Sequence, residues 1–62
     1  MKVRVIRPPL PTPDPADGIE VGKVLDVYSI YGKGKQFPGY WVRGEAGRPV
    51  MLYPQEIEVI GD

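Results

Sequence analysis

Sixty-two residues with eight basic and eight acidic side chains give a formal net charge of zero, and the chain has neither cysteine nor histidine. A chain this short buries only about 60% of the surface its unfolded form exposes, and it can form neither a disulfide nor the usual zinc centre. Zero net charge removes any general pull toward nucleic acid or anionic membrane, and the length allows a single domain over residues 1–62.

Residues 2–7 alternate Lys2, Val3, Arg4, Val5, Ile6, Arg7, so Val3 and Val5 share one face and the cations the other; this predicts a first strand with one wet face. Pro8, Pro9, Pro11, Pro13 and Pro15 then remove backbone donors too densely for helix or inner strand, so residues 8–18 read as an extended polyproline-like loop. Asp17-Gly18 closes that loop as a turn. A second strand is expected over 21–31, rich in β-branched and aromatic residues. Val24 and Val27 are three apart, so a β-bulge near Leu25 and Asp26 is expected to bring them to one side.

Gly32-Lys33-Gly34-Lys35-Gln36-Phe37-Pro38-Gly39 reads as a flexible connection. Residues 40–44 and 49–53 read as strands around a tight turn at Glu45-Ala46-Gly47-Arg48. Pro54-Gln55-Glu56 is expected to form one 3₁₀ turn, because proline suits its first position, and 57–60 the fifth strand. No segment has the length and 3.6-residue period of an amphipathic helix. One inward face per strand collects an expected core of Val3, Val5, Val24, Val27, Ile30, Val42, Leu52 and Val59.

The charges come in blocks: Lys2, Arg4 and Arg7 are followed by Asp14, Asp17 and Glu20. Then Lys23, Lys33, Lys35, Arg43 and Arg48 outnumber Asp26 and Glu45, before Glu56, Glu58 and Asp62 close the chain. Strands of opposite sign then pair as cross-strand neighbours.

The order of a long first loop, a medium loop, a tight hairpin and a 3₁₀ turn before the last strand resembles the SH3-like barrel, here all-β, five-stranded and partly open. Within that fold, Val21-Gly22-Lys23-Val24 with the strand after it, then Leu52-Tyr53-Pro54 and Glu58-Val59, is similar to small proteins encoded by bacteriophages and prophages. Their pattern is a "TVGKVYEV"-like segment and a "YLYP…FE-V" ending. Leu25 stands where that pattern has an aromatic residue and Ile57 where it has a phenylalanine, and the first loop here is richer in proline. The resemblance implies a fold and an origin, and brings no activity with it.

Catalysis needs a nucleophile or an acid/base group in a water-poor cleft, and Ser29 stands alone with no base near it in sequence. An enzyme is not expected, nor is any cofactor. Asp14, Asp17 and Glu20 lack the bidentate glutamate spacing of a calcium loop, and Gly32-Lys33-Gly34-Lys35 lacks the context of a phosphate-cradling loop.

If Val42 points inward, Trp41 and Arg43 face outward. With Tyr31, Phe37 and Tyr53 around Trp41 and Lys33, Lys35 and Arg43 beside it, such a surface suits an extended or proline-rich segment of a protein partner. It also suits single-stranded nucleic acid. The third alternative is that Trp41 packs beneath the proline-rich loop and completes the core. Arg7-Pro8-Pro9-Leu10-Pro11-Thr12-Pro13 resembles a polyproline ligand of SH3 domains, but its register matches neither ligand orientation cleanly, and a stiff surface loop is the expected reading. The expected class is a non-enzymatic binding or accessory protein with a protein partner. The other readings are a nucleic-acid-binding module and a homo-oligomeric structural element. Without a long apolar run or a signal-like start, a cytoplasmic location with no membrane association is expected.

Overall fold

Alternating inward and outward side chains, with proline and glycine between the runs, leave this chain only strands and turns. The computed structural model describes residues 1–10 and 12–61; Pro11, within the proline-rich stretch, and Asp62 lie outside the described residues. In chain order it contains β1 (Lys2–Val5), a 3₁₀ turn (Pro15–Asp17), β2 (Val24–Tyr31), β3 (Gly39–Arg43) and β4 (Pro49–Leu52). A second 3₁₀ turn (Pro54–Glu56) and β5 (Ile57–Gly61) follow. The strands form one antiparallel sheet in the order β4-β3-β2-β1-β5. Among the described residues β4 and β5 do not pair, so the sheet is not closed.

The second strand serves both halves of the sheet. Val24, Leu25 and Asp26 pair with β1, whereas Val27 to Tyr31 pair with β3. It begins at Val24 rather than at residue 21, because the chain turns at Val21 and Gly22. There Gly22 N–H donates to the Val5 carbonyl at 2.7 Å and Lys23 N–H to that of Glu20 at 3.0 Å. The first strand likewise stops at Val5 rather than at residue 7. Ile6 N–H donates instead to the carbonyl of Glu56.

The bulge lies between Val27 and Ser29, not near Leu25 and Asp26. Leu25 sits opposite Val3 and Val27 opposite Val42, both on the inner face, while Val24 sits opposite Arg4 on the wet face and is 43% exposed. Strict alternation therefore holds through Val27, and Tyr28 is the extra residue before Ile30 turns inward.

The core consists of Val3, Val5, Ile19, Val42, Leu52 and Ile57, with Leu25, Val27, Tyr40 and Val50 packed against it. Burying such side chains contributes about 1.5–3 kcal/mol each. Three expected members are not there. Val24 faces water, and Val59, although paired with Val3, lies on an edge strand with nothing beyond it and is 57% exposed. Ile30 is only half-buried. Ile19 from the long loop and Ile57 from the start of β5 supply the apolar volume instead.

The long loop is fixed to the sheet by two buried carboxylates. Glu56 accepts from Leu10 N–H at 2.8 Å through Oε2 and from Tyr53 N–H at 3.0 Å through Oε1. Asp17 Oδ1 accepts from Arg48 Nε at 3.3 Å, and Glu45 N–H donates to the Asp17 carbonyl at 2.8 Å. Gly44 allows this approach. A Cβ there would lie 2.9 Å from the Asp17 carbonyl oxygen, closer than van der Waals packing permits.

Candidate functional site

The inward turn of Val42 sends its strand neighbours Trp41 and Arg43 outward, and the same alternation sends Met51 and Pro49 of β4 outward beside them: Trp41 pairs with Met51 and Arg43 with Pro49. The long loop, held by Asp17 and Glu56, returns over this face. Between loop and strands runs an open groove of about 420 Å³, walled by Thr12, Pro13 and Asp17 on one side and Trp41, Met51 and Tyr53 on the other. Trp41 and Tyr53 are both half-buried. Trp41 thus faces the proline-rich loop across the groove.

The other expected site residues are distributed around this groove rather than gathered in it. Tyr31 pairs with Gly39 on the outward face and is 62% exposed, with Lys35 Nζ 6.0 Å from its ring centre. Arg43 places its guanidinium 4.9 Å over the Tyr28 ring and donates to the Gly47 carbonyl at 3.1 Å. Phe37 is exposed in the connection between β2 and β3. Lys33 lies toward the opposite margin of β2, in a shallow recess with Met1, Val27, Tyr28 and Ile30.

Reading the sequence missed the residues that make the groove concave: Thr12, Pro13, Asp17, Pro49 and Met51. The signal for Pro49 and Met51 was present, because a period of two in β4 places both beside Trp41 once Val50 and Leu52 point inward. Nothing local marks Pro13 or Asp17 as neighbours of Trp41.

Electrostatically the groove has a neutralised wall. Arg48 Nη2 reaches Asp14 Oδ2 at 3.4 Å and Asp17 Oδ1 at 3.3 Å. The backbone N–H of Ala16, donating to Asp14 Oδ1, and Arg48 beside it hold the Asp14 carboxyl below its ordinary pKa. Asp17 and Asp14 in turn raise that of Arg48. At the foot of the loop Lys23 Nζ lies 2.8 Å from Glu45 Oε1; this contact holds the Glu45 carboxyl low and raises the Lys23 ammonium.

Among the described residues no group of three carboxylates is placed to hold a metal ion. No helix is long and apolar enough to cross a membrane. The groove is open and lined by aromatic and proline side chains, and its acid Asp17 is paired with Arg48. No protein family, curated protein or solved structure matches this chain.

Proposed function

We propose that this chain is a non-enzymatic SH3-like accessory module of phage or prophage type that docks an extended segment of a protein partner in the groove between Pro13 and the Trp41–Tyr53 wall. The observation that carries this reading is the groove itself, in which two half-buried aromatic rings face a proline-bearing loop across an open channel. The strand order β4-β3-β2-β1-β5, the long first loop and the 3₁₀ turn ahead of β5 support the barrel assignment. Stiff, extended, proline-containing segments suit such grooves because they bring flat apolar contact area at little entropic cost.

The test is an array of proline-containing peptides probed with the wild-type protein and with Trp41→Ala and Tyr53→Ala, all verified as folded by circular dichroism. Binders that lose at least about tenfold in affinity in both variants support the reading, as expected for aromatic hot spots. An array in which no binder depends on Trp41 overturns it.

A further inference from the structure

Although the chain is neutral as a whole, its charges are not neutralised evenly. Lys2 pairs with Asp26, Arg4 with Glu58, Lys23 with Glu45, and Arg48 with Asp14 and Asp17. Among the described residues four cations take part in no ion pair: Arg7, just past β1, and Lys33, Lys35 and Arg43, which belong to the half of the sheet that carries Trp41. The outward positions of that half, from Tyr28 through Met51 on β2, β3 and β4, include no carboxylate.

We infer that the segment filling the Trp41 groove is acidic, its carboxylates meeting Arg43 and Lys35 as it leaves the groove across the outward face of β3 and β2. This rests on the docking reading above and adds the charge of the partner. The argument is one of complementarity: the groove's own acid, Asp17, is held by Arg48, so a cationic ligand would have to displace an existing pair, whereas an anionic ligand meets Arg43 and Lys35 with no ion pair to displace. A peptide is favoured over single-stranded nucleic acid by two further observations. The Tyr28 and Tyr31 rings each already carry a cation, from Arg43 and Lys35, which removes ring faces that bases would stack on. Two cations are also few for a phosphate backbone, where affinity grows with the number of phosphates neutralised.

The experiment uses three synthetic peptides with one proline-rich apolar core flanked by Glu, Gln or Lys pairs, and a thymidine oligonucleotide, each titrated against the fluorescence of Trp41, the only tryptophan in the chain. The Glu-flanked peptide is expected to bind about tenfold tighter than the Gln-flanked one at low salt, as a few exposed ion pairs would give. The preference should shrink toward unity at about 0.5 M salt, where screening is nearly complete. It should reverse in favour of the Lys-flanked peptide in the doubly charge-reversed variant Lys35→Glu, Arg43→Glu. Equal affinity for Glu- and Gln-flanked peptides, with Trp41 responding to both, overturns the charge assignment and leaves the docking groove standing. If no peptide perturbs Trp41, both fall, and if the oligonucleotide binds more tightly than the acidic peptide, the face is a nucleic-acid surface and the inference is wrong.

Discussion

The carboxylate of Glu56 accepts a hydrogen bond from the backbone N–H of Leu10, 2.8 Å away and 46 positions distant in the chain. Glu56 thereby joins the 3₁₀ turn before β5 to the loop that walls the groove, and its second oxygen closes that turn through Tyr53 N–H. With 5% of its surface exposed, the side chain has no water to fall back on. Removing it takes the protein partner from two part-buried backbone donors. Glu56→Ala should therefore cost about 2–4 kcal/mol. Glu56→Gln, which turns an amide N–H toward one of those donors, should cost at least about 1 kcal/mol. Urea unfolding of both variants reads these values directly, and a midpoint equal to that of the wild type would show that Leu10 has another partner.

The register of β2 against β3 can be tested by one substitution in each strand. Val42 is fully buried and Val24 is 43% exposed, so Val42→Ala should lower stability by about 1–3 kcal/mol through lost burial and a cavity. Val24→Thr should stay within about 0.5 kcal/mol, as surface exchanges do. A Val24→Thr variant that melts far below Val42→Ala would place the bulge back near Leu25.

Gly44→Ala tests the close approach of the hairpin to the loop. Its new methyl group would sit 2.7 Å from the Asp17 Cβ, so the loop has to give way and the Glu45–Asp17 contact lengthens. A loss of about 1–3 kcal/mol follows from such overpacking, together with faster amide exchange at Glu45, whose N–H donates to the Asp17 carbonyl. Unchanged protection at Glu45 would count against it.

Acid should loosen the loop before it unfolds the sheet. The Asp14 and Glu45 carboxyls are held below their ordinary pKa values by Ala16 N–H with Arg48 and by Lys23 respectively. Their contribution to stability is thus complete above the unfolded-state values and is lost as pH falls through the lower folded ones, below about pH 4. On the alkaline side Lys23, raised by Glu45, contributes fully below its unfolded value and loses that contribution as pH rises beyond about 10.4. Between these limits neither pair changes its contribution. Following the Ala16 and Glu45 amide resonances by NMR from pH 6 to pH 2 tests the acid limb; shifts centred near pH 5 would contradict the assigned direction.

The strands and the second 3₁₀ turn were legible because each rests on local chemistry: alternation in residues 2–5 and 49–52, proline at position 54, glycine and charge in the turns. The bulge was not, since Val24, Leu25 and Val27 admit two registers and only the partners opposite them, Arg4, Val3 and Val42, choose between these. Edge position decided Val59, and no strand reveals from its own residues that it will be last in a sheet. At the site, Trp41 and Tyr53 could be found by their aromatic character and by strand parity. Pro13 and Asp17 could not, because their place beside Trp41 depends on a loop folding back onto contacts with Glu56 and Arg48.

The pairing of β1 with both β2 and β5 also sets the timing of folding. Val3 and Val5 are completely buried, yet Val5 lies opposite Ile57 and Val3 opposite Val59, so one flank of the first strand stays bare until residues more than fifty positions later have been synthesised. Chain closure over that span must precede any reward from the contact, which places this domain among the slower, high-contact-order folders, in the millisecond-to-second range. During translation β1 can pair with β2 once Asp26 has emerged, but its other flank is covered only when β5 follows.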